Sequence, residues 1–301
     1  MAHEHHHDHS HTLTNLNRAF YIGIGLNLLF VLAEAIAGLY INSLSLLSDA
    51  GHNLADVAGL ALSLIAYRMA KVTPTGKYTY GYRKTTVLVA LFNSVLLLIS
   101  IGIIGYEAIH RLLNPGPLPG FAIALVAGIG IIINGGTALL FLRDRNKDIN
   151  IKSAYLHMLS DAMVSLALVI GGIVIYYTGW YWIDPVLGII VALIILKSTW
   201  GLLRSSLRLS LDAVPENVDL DKIRENVLRL DGVKDIHHIH AWGLSTATNA
   251  LTAHIVLNDD ANIGEMEKIK KAIKHELEHL NIQHATLEFE HSAFEHKEED
   301  F

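Results

Sequence analysis

The sequence predicts a polytopic α-helical membrane protein: six transmembrane helices followed by a small cytosolic α+β domain. Three observations carry this expectation. Hydrophobic residues make up 51% of the 301 and charged residues only 17%, less charge than a soluble domain of this size carries. The apolar residues are concentrated in positions 19–205, whereas positions 212–301 have the charge of an ordinary soluble sequence. Six apolar stretches each come close to about 20 residues, the length at which a helix crosses about 30 Å of hydrocarbon.

The spans read Ala19–Leu39, Leu44–Ala66, Val87–Ile109, Phe121–Leu142, Ala154–Tyr177 and Asp184–Leu203. Pro74 and Gly76, Pro115-Gly116-Pro117, and Thr178-Gly179 interrupt the runs between them, as helix-breaking residues do. Arg68, Lys71, Lys77, Arg83 and Lys84 follow span two, Arg143, Arg145, Lys147 and Lys152 follow span four, and Arg204 and Arg208 follow span six. The opposite loops hold only Arg111 as a fixed positive charge. Basic loops stay on the cytoplasmic side, so both termini are expected there. The N-terminus is His-rich and acidic, and no cleavable signal peptide is visible in it.

The pattern changes after Asp212-Ala213-Val214-Pro215. Asn217–Leu230 reads as a helix and Val233–Gly243 as a strand. Asn249–Leu257 alternates, with Leu251, Ala253, Ile255 and Leu257 on one face. Glu265–Leu280 is an amphipathic helix with Met266, Ile269, Ile273, Leu277 and Leu280 on its apolar side, and His284–Glu290 alternates again. The order αββαβ predicts helices packed on one face of a sheet. The expected boundaries are a His-rich tail at 1–17, a membrane domain at 18–208 and a compact domain at 209–301 that is long enough to bury its own core.

The chain has no cysteine and 18 histidines. Any metal site must therefore be built from nitrogen and oxygen, which disfavours Cu(I) and leaves Zn, Co, Ni, Mn and similar ions. Span two contains His52-Asn53-Leu54-Ala55-Asp56 and span five contains His157-Met158-Leu159-Ser160-Asp161. A spacing of i, i+4 puts both side chains of each pair on one helical face, and ionisable groups inside a span need a partner and a purpose. Two such helices side by side would converge His52, Asp56, His157 and Asp161 into a four-coordinate site suited to Zn²⁺, whose charge the two carboxylates cancel. When the ion leaves, protons can replace it on the imidazoles and carboxylates, so metal–proton exchange follows from the ligand set. The plainer reading is interhelical hydrogen bonding or a proton relay. Shared ligation also requires matching depths, which predicts that helix five begins at or before about Asn150, with its first turns shielded by protein or reaching a cytosolic cavity.

Leu47-Ser48-Asp49-Ala50-Gly51-His52-Asn53-Leu54-Ala55-Asp56, Tyr80-Gly81-Tyr82-Arg83, Tyr106-Glu107-Ala108-Ile109-His110-Arg111 and Ala154-Tyr155-Leu156-His157-Met158-Leu159-Ser160-Asp161 resemble the cation diffusion facilitators, in the zinc-transporting branch. Manganese-type members are expected to carry Asp at the position of His52. The resemblance runs from span one to the last strand. It implies a homodimeric metal/proton antiporter working by alternating access, with a cytosolic ferredoxin-like domain, and it puts His52, Asp56, His157 and Asp161 on the family's transport site. It also selects His237, His254 and Glu290 as a cytosolic site that binds zinc and steadies the dimer, against a plainer reading as surface histidines. Two family features are missing: Tyr82 stands where some bacterial members place a His, and Arg143–Ser153 contains no His.

Other histidines need placing. His3, His5, His6, His7, His9 and His11 form a tail that reads either as a disordered, low-affinity metal collector or as a dispensable extension. In Ile236-His237-His238-Ile239-His240, strict alternation puts His238 and His240 on one face and His237 on the other. His275-Glu276-Leu277-Glu278-His279 satisfies the zincin pattern, but helix periodicity turns both histidines away from the apolar face. Glu34, Asn27, Asp49, Asn93, Glu107, Asn134 and Asp184 are further polar groups in or near spans; Asp49 reads as a guide for ions or protons at the outer mouth and Asp184 as a cap of span six, and the sequence does not resolve their roles. The resulting expectation is a zinc/proton antiporter exporting zinc, placed in a bacterial inner membrane, with no enzymatic activity and no cofactor. Zn²⁺ is its substrate and a structural or regulatory ligand; its partners are protons, the lipid bilayer and a second copy of itself, and no nucleic acid. The alternatives are a membrane metalloprotease using residues 275–279 and a zinc sensor that binds without transporting.

Overall fold

The computed structural model describes the backbone of residues 9–40, 44–114, 120–146, 149–258 and 263–291. Within those ranges the side chains of residues 9–19 and 44–52, and of scattered others including Glu34, Asp56 and Asp184, lie outside the description. Six long helices come first: α1 (His9–Tyr40), α2 (Leu44–Met69), α3 (Thr85–Leu113), α4 (Gly120–Leu142), α5 (Ile149–Thr178) and α6 (Ile183–Ser210). They are followed by α7 (Leu220–Leu228), β1 (Val233–Gly243), β2 (Asn249–Leu257), α8 (Ile263–His279) and β3 (His284–His291). The chain divides into two compact units, Met1–Ser206 and Leu207–Phe301.

Among the described residues, Thr85–Leu113, Ala124–Leu142, Ile149–Thr178 and Pro185–Ser210 are long and apolar enough to cross a membrane, and Phe20–Ala33 and Val57–Met69 are shorter apolar helical stretches. The distribution of polarity fits a lipid surround. Leu29, Ile36, Ile132, Leu139, Leu193 and Trp200 point outward, while Asn27, Ser63, Asn93, Asn134, Thr137 and Ser160 are buried. Hydrocarbon accepts the first set and cannot satisfy the second, so the polar groups face protein.

Packing brings four of these helices together. Phe20 of α1, Leu60 and Leu64 of α2, Ala138 and Phe141 of α4, and Ile151, Ala154 and Met158 of α5 share one buried cluster. A second joins Ile101 of α3, Ala167 of α5, and Ala192 and Ile195 of α6. Helices α4 and α5 approach so closely that a Cβ at Gly130 would lie 2.8 Å from Ser165 Oγ, the use of small residues expected between membrane helices.

Helix α5 begins at Ile149, five residues before the apolar run starts at Ala154, as depth matching required. Its opening turn is paid for by protein contacts: Asn150, Ile151, Ser153 and Ala154 are buried, and Asn150 Nδ2 donates to Thr86 O of α3 at 3.1 Å. Between α2 and α3, Gly81 sits at φ +67°, and a Cβ there would come 3.0 Å from Val72 O. Gly81→Ala is therefore expected to destabilise the protein by about 1–2 kcal/mol, the cost of a left-handed non-glycine residue, read as a lower unfolding temperature in detergent.

The second unit has strand order β1-β2-β3, with β1 antiparallel to β2 and β2 parallel to β3. Its core combines Ile223 and Val227 of α7 and Ile269, Ile273 and Leu277 of α8 with Ile236, Leu251, Ala253, Ile255 and Leu257 of the sheet. Helix α7 is shorter than the predicted 217–230. The Asp219 carboxylate accepts from Lys222 N at 3.2 Å and caps the helix there.

Candidate metal sites

In the first unit, α5 places His157 and Asp161 on its inner side, their side chains 16% and 15% exposed. His157 Nε2 lies 3.7 Å from Asp161 Oδ2, wider than a hydrogen bond. Two ligands each about 2.0–2.1 Å from a tetrahedral zinc stand about 3.3 Å apart, so the pair is within a few tenths of an ångström of a metal-bridging geometry. Positions 52 and 56 lie on α2, which packs against α5. Their side chains are outside the described residues, so the predicted convergence of all four groups is not visible. Leu60 and Leu64, one and two turns beyond position 56, share their cluster with residues 151–158, which precede Asp161.

A further polar group stands at that depth. Gly130 of α4 faces Ser165 of α5, and Asn27 Nδ2 bridges Thr137 Oγ1 at 3.4 Å and Met158 Sδ at 3.5 Å. Both pairs of positions are seven residues apart in the chain, so Asn134 comes level with Asp161 on these antiparallel helices. Its Oδ1 is buried with no hydrogen-bond partner. The sequence marked Asn134 as a polar residue in a span and gave no reason to prefer it over the others.

In the second unit, His237, His254 and Glu290 converge, offering ligand atoms within 4.8 Å of one another. Glu290 Oε1 is 2.6 Å from His254 Nδ1 and its Oε2 is 3.3 Å from His237 Nε2. Among the described residues this is the only group of three or more potential ligands. Burial alone would push the Glu290 carboxyl up, but the hydrogen bond from His254 and the charge and hydrogen bond of His237 outweigh it and hold it below the ordinary carboxylate value. Its contribution to stability is thus fully present above the unfolded-state pKa and is lost as pH falls through the lowered folded value.

The strict-alternation reading of β1 is corrected. His237 pairs with His254 and His240 with Thr252, with a register shift between them, and His238 sits at φ +49°. This β-bulge inserts one residue and reverses the parity. Ile236 and Ala241 both face the core, so His237 and His240 share the opposite face. The bulge also brings the His238 ring to 5.3 Å from that of His254. Glu288 was missed as well: its Oε2 lies 3.7 Å from His254 Nε2, and its place two residues before Glu290 could have revealed it. Of the tail histidines, His3, His5, His6 and His7 lie outside the described residues, and His9 and His11 are on α1 with their side chains outside the description.

The model of the cation efflux transmembrane domain matches residues 20–209, and that of the cation efflux protein cytoplasmic domain matches residues 215–292. The chain belongs to the cation efflux family. Within that family it is 37% identical to a cadmium, cobalt and zinc/H⁺–K⁺ antiporter of Bacillus subtilis, over 89% of this chain and 86% of the relative. It is 36% identical to the metal cation efflux system protein CzcD of Cupriavidus metallidurans, over 91% and 86%. Identity to the zinc transporter ZitB of Escherichia coli is 32%, over 96% and 92%. The family's two-part architecture is the one described above, with apolar helices first and a three-stranded α+β domain after them.

Proposed function

We propose that this protein exports zinc from the cytoplasm in exchange for protons, holding one Zn²⁺ between α2 and α5 through His52, Asp56, His157 and Asp161. The observation that carries this reading is the His157–Asp161 pair, opposed at 3.7 Å inside an apolar bundle on a helix packed against the one bearing the matching His–Asp spacing. Relatives named as zinc or zinc/H⁺ transporters support it. The chain's own residues do two things. The carboxylates neutralise the dehydrated cation, and carboxylates and imidazoles take up protons as it leaves, so the bundle never carries an uncompensated charge. Alternating access exposes that site to each side in turn. The deciding experiment uses proteoliposomes with an internal zinc dye: zinc entry that accelerates with an opposing proton gradient supports antiport, and zinc binding without entry would leave a sensor.

The basic loops favour cytoplasmic termini; in a bacterial cell this places the protein in the inner membrane, with a tail at 1–17, a transport domain at 18–208 and a soluble domain at 209–301. In that soluble domain His237, His254 and Glu290 bind a structural or regulatory zinc and steady a homodimer. His254→Ala is expected to weaken this binding by at least roughly 10–100-fold, the loss that even an outer-shell change produces, as measured by competition with a zinc-binding dye. The tail contributes only local concentration. Deleting residues 2–11 should lower apparent zinc affinity by no more than roughly a few-fold in the flux assay, and complete loss of transport would make the tail an obligatory part of the path.

The metalloprotease reading lacks a third ligand: His275 and His279 belong to no group of three potential ligands among the described residues, and the Glu276 carboxylate accepts from Asn226 Nδ2 of α7 at 3.4 Å.

A further inference from the structure

The His275/His279 pair remains unused by transport, by the three-ligand cluster and by hydrolysis. Helix α8 buries Ile269, Ile273 and Leu277, which turns positions 275 and 279 to solvent, where both side chains are exposed. Their spacing stacks them one turn apart on the same side. His275 Nε2 and His279 Nε2 are 3.3 Å apart, with ring centroids 4.7 Å apart and planes at 80°. Two imidazole nitrogens bound at about 2.0–2.1 Å to one tetrahedral metal lie about 3.3–3.4 Å apart. The bare side chains already hold the spacing that chelation needs.

We propose that His275 and His279 form a two-ligand binding site for a divalent transition-metal cation on the solvent face of α8, distinct from the transport pair and from the His237–His254–Glu290 cluster. Imidazole nitrogen suits Zn²⁺, Co²⁺, Ni²⁺ and Cu²⁺ and does not attract Mg²⁺ or Ca²⁺. The pair belongs to no group of three ligands among the described residues, so water fills the remaining coordination positions. With two protein ligands instead of three, the site binds more weakly than the cluster and fills only when free zinc is high. The neighbouring Glu276 is turned toward α7 and gives the bound ion no general base. A bound cation therefore stays a ligand and starts no hydrolysis.

Two neutral imidazoles at 3.3 Å can also share a hydrogen bond, one donating and the other accepting, and binding stoichiometry separates that arrangement from chelation. The full-length protein in detergent is dialysed against buffered Zn²⁺ for wild type, His275→Ala, His279→Ala and the double variant. Chelation predicts that each single change removes the same weak equivalent per chain that the double change removes, because a lone imidazole binds roughly tenfold or more weakly than the pair. His254→Ala should remove a different, tighter equivalent and leave the weak one in place, so this site and the cluster fail independently. Both histidines are exposed, so the alanine variants should keep the wild-type circular dichroism and unfolding temperature. The proposal is overturned if the double variant binds as many equivalents as wild type. It is equally overturned if the single changes each remove part of the binding and add up to the double, which would describe two independent imidazoles.

Discussion

Asp161→Ala is expected to abolish zinc transport in proteoliposomes while leaving the protein folded and dimeric. The reasoning is electrostatic. Zn²⁺ with two carboxylates and two neutral imidazoles is a neutral assembly, and with one carboxylate it carries a net positive charge inside the bundle. A charge at the centre of a span costs roughly 2.5–3.5 kcal/mol even on the mildest scales, which alone corresponds to roughly 100-fold in occupancy. In the proposed site the variant also loses a ligand. The Asp161 side chain is 15% exposed and its neighbour across the helix turn is His157, so alanine leaves no large apolar void. Asp161→Asn separates charge from shape: it preserves size and one oxygen, yet should transport no better than alanine. Normal elution on size-exclusion chromatography together with zero flux is the expected result. Substantial zinc flux through either variant would remove Asp161 from the site.

Much of this molecule is legible in its sequence, and the misses have local physical causes. The apolar runs mark the helices because lipid imposes a long, uninterrupted hydrophobic length. They do not mark the ends. Helix α5 starts in Ile149-Asn150-Ile151-Lys152-Ser153, a segment too polar for a hydropathy reading, because Asn150 finds the Thr86 carbonyl and the turn is covered by protein. Only the requirement that two His–Asp pairs meet at one depth pointed to that start. Helix α7 begins where Asp219 caps it, which a periodicity reading extended by three residues. In β1 the apolar pattern gave the strand and its core face, but the bulge at His238 has no signature in alternation, which therefore put His237 on the face opposite His240 when the two share one. The cluster of His237, His254 and Glu290 came from family resemblance; periodicity alone placed the three on strands without bringing them together. Register did that, through the His237–His254 pair across β1 and β2 and the parallel alignment of β3.

His52→Asp should shift cation preference from zinc toward manganese, and the change should be larger than any produced by editing the tail. The proposed set of two imidazoles and two carboxylates matches zinc in both donor type and charge. With Asp at position 52 the site has three carboxylates and one imidazole, a harder and more negative set, and such oxygen-rich sites suit Mn²⁺. Zinc should lose affinity because an imidazole donor is gone, and manganese should gain because an oxygen donor has replaced it. The two effects act in opposite directions on the ratio. A relative change of only about 1.4 kcal/mol is a tenfold change in that ratio, so zinc-to-manganese flux measured in the same proteoliposomes should fall by about tenfold or more. His52→Ala provides the control, since it removes the imidazole without adding oxygen: zinc flux should fall while manganese flux does not rise. In the proposed site position 52 acts jointly with His157, so His157→Asp should push the ratio in the same direction if both histidines touch one ion. If instead His52→Asp lowers both fluxes equally and leaves their ratio unchanged, donor chemistry at position 52 does not set selectivity.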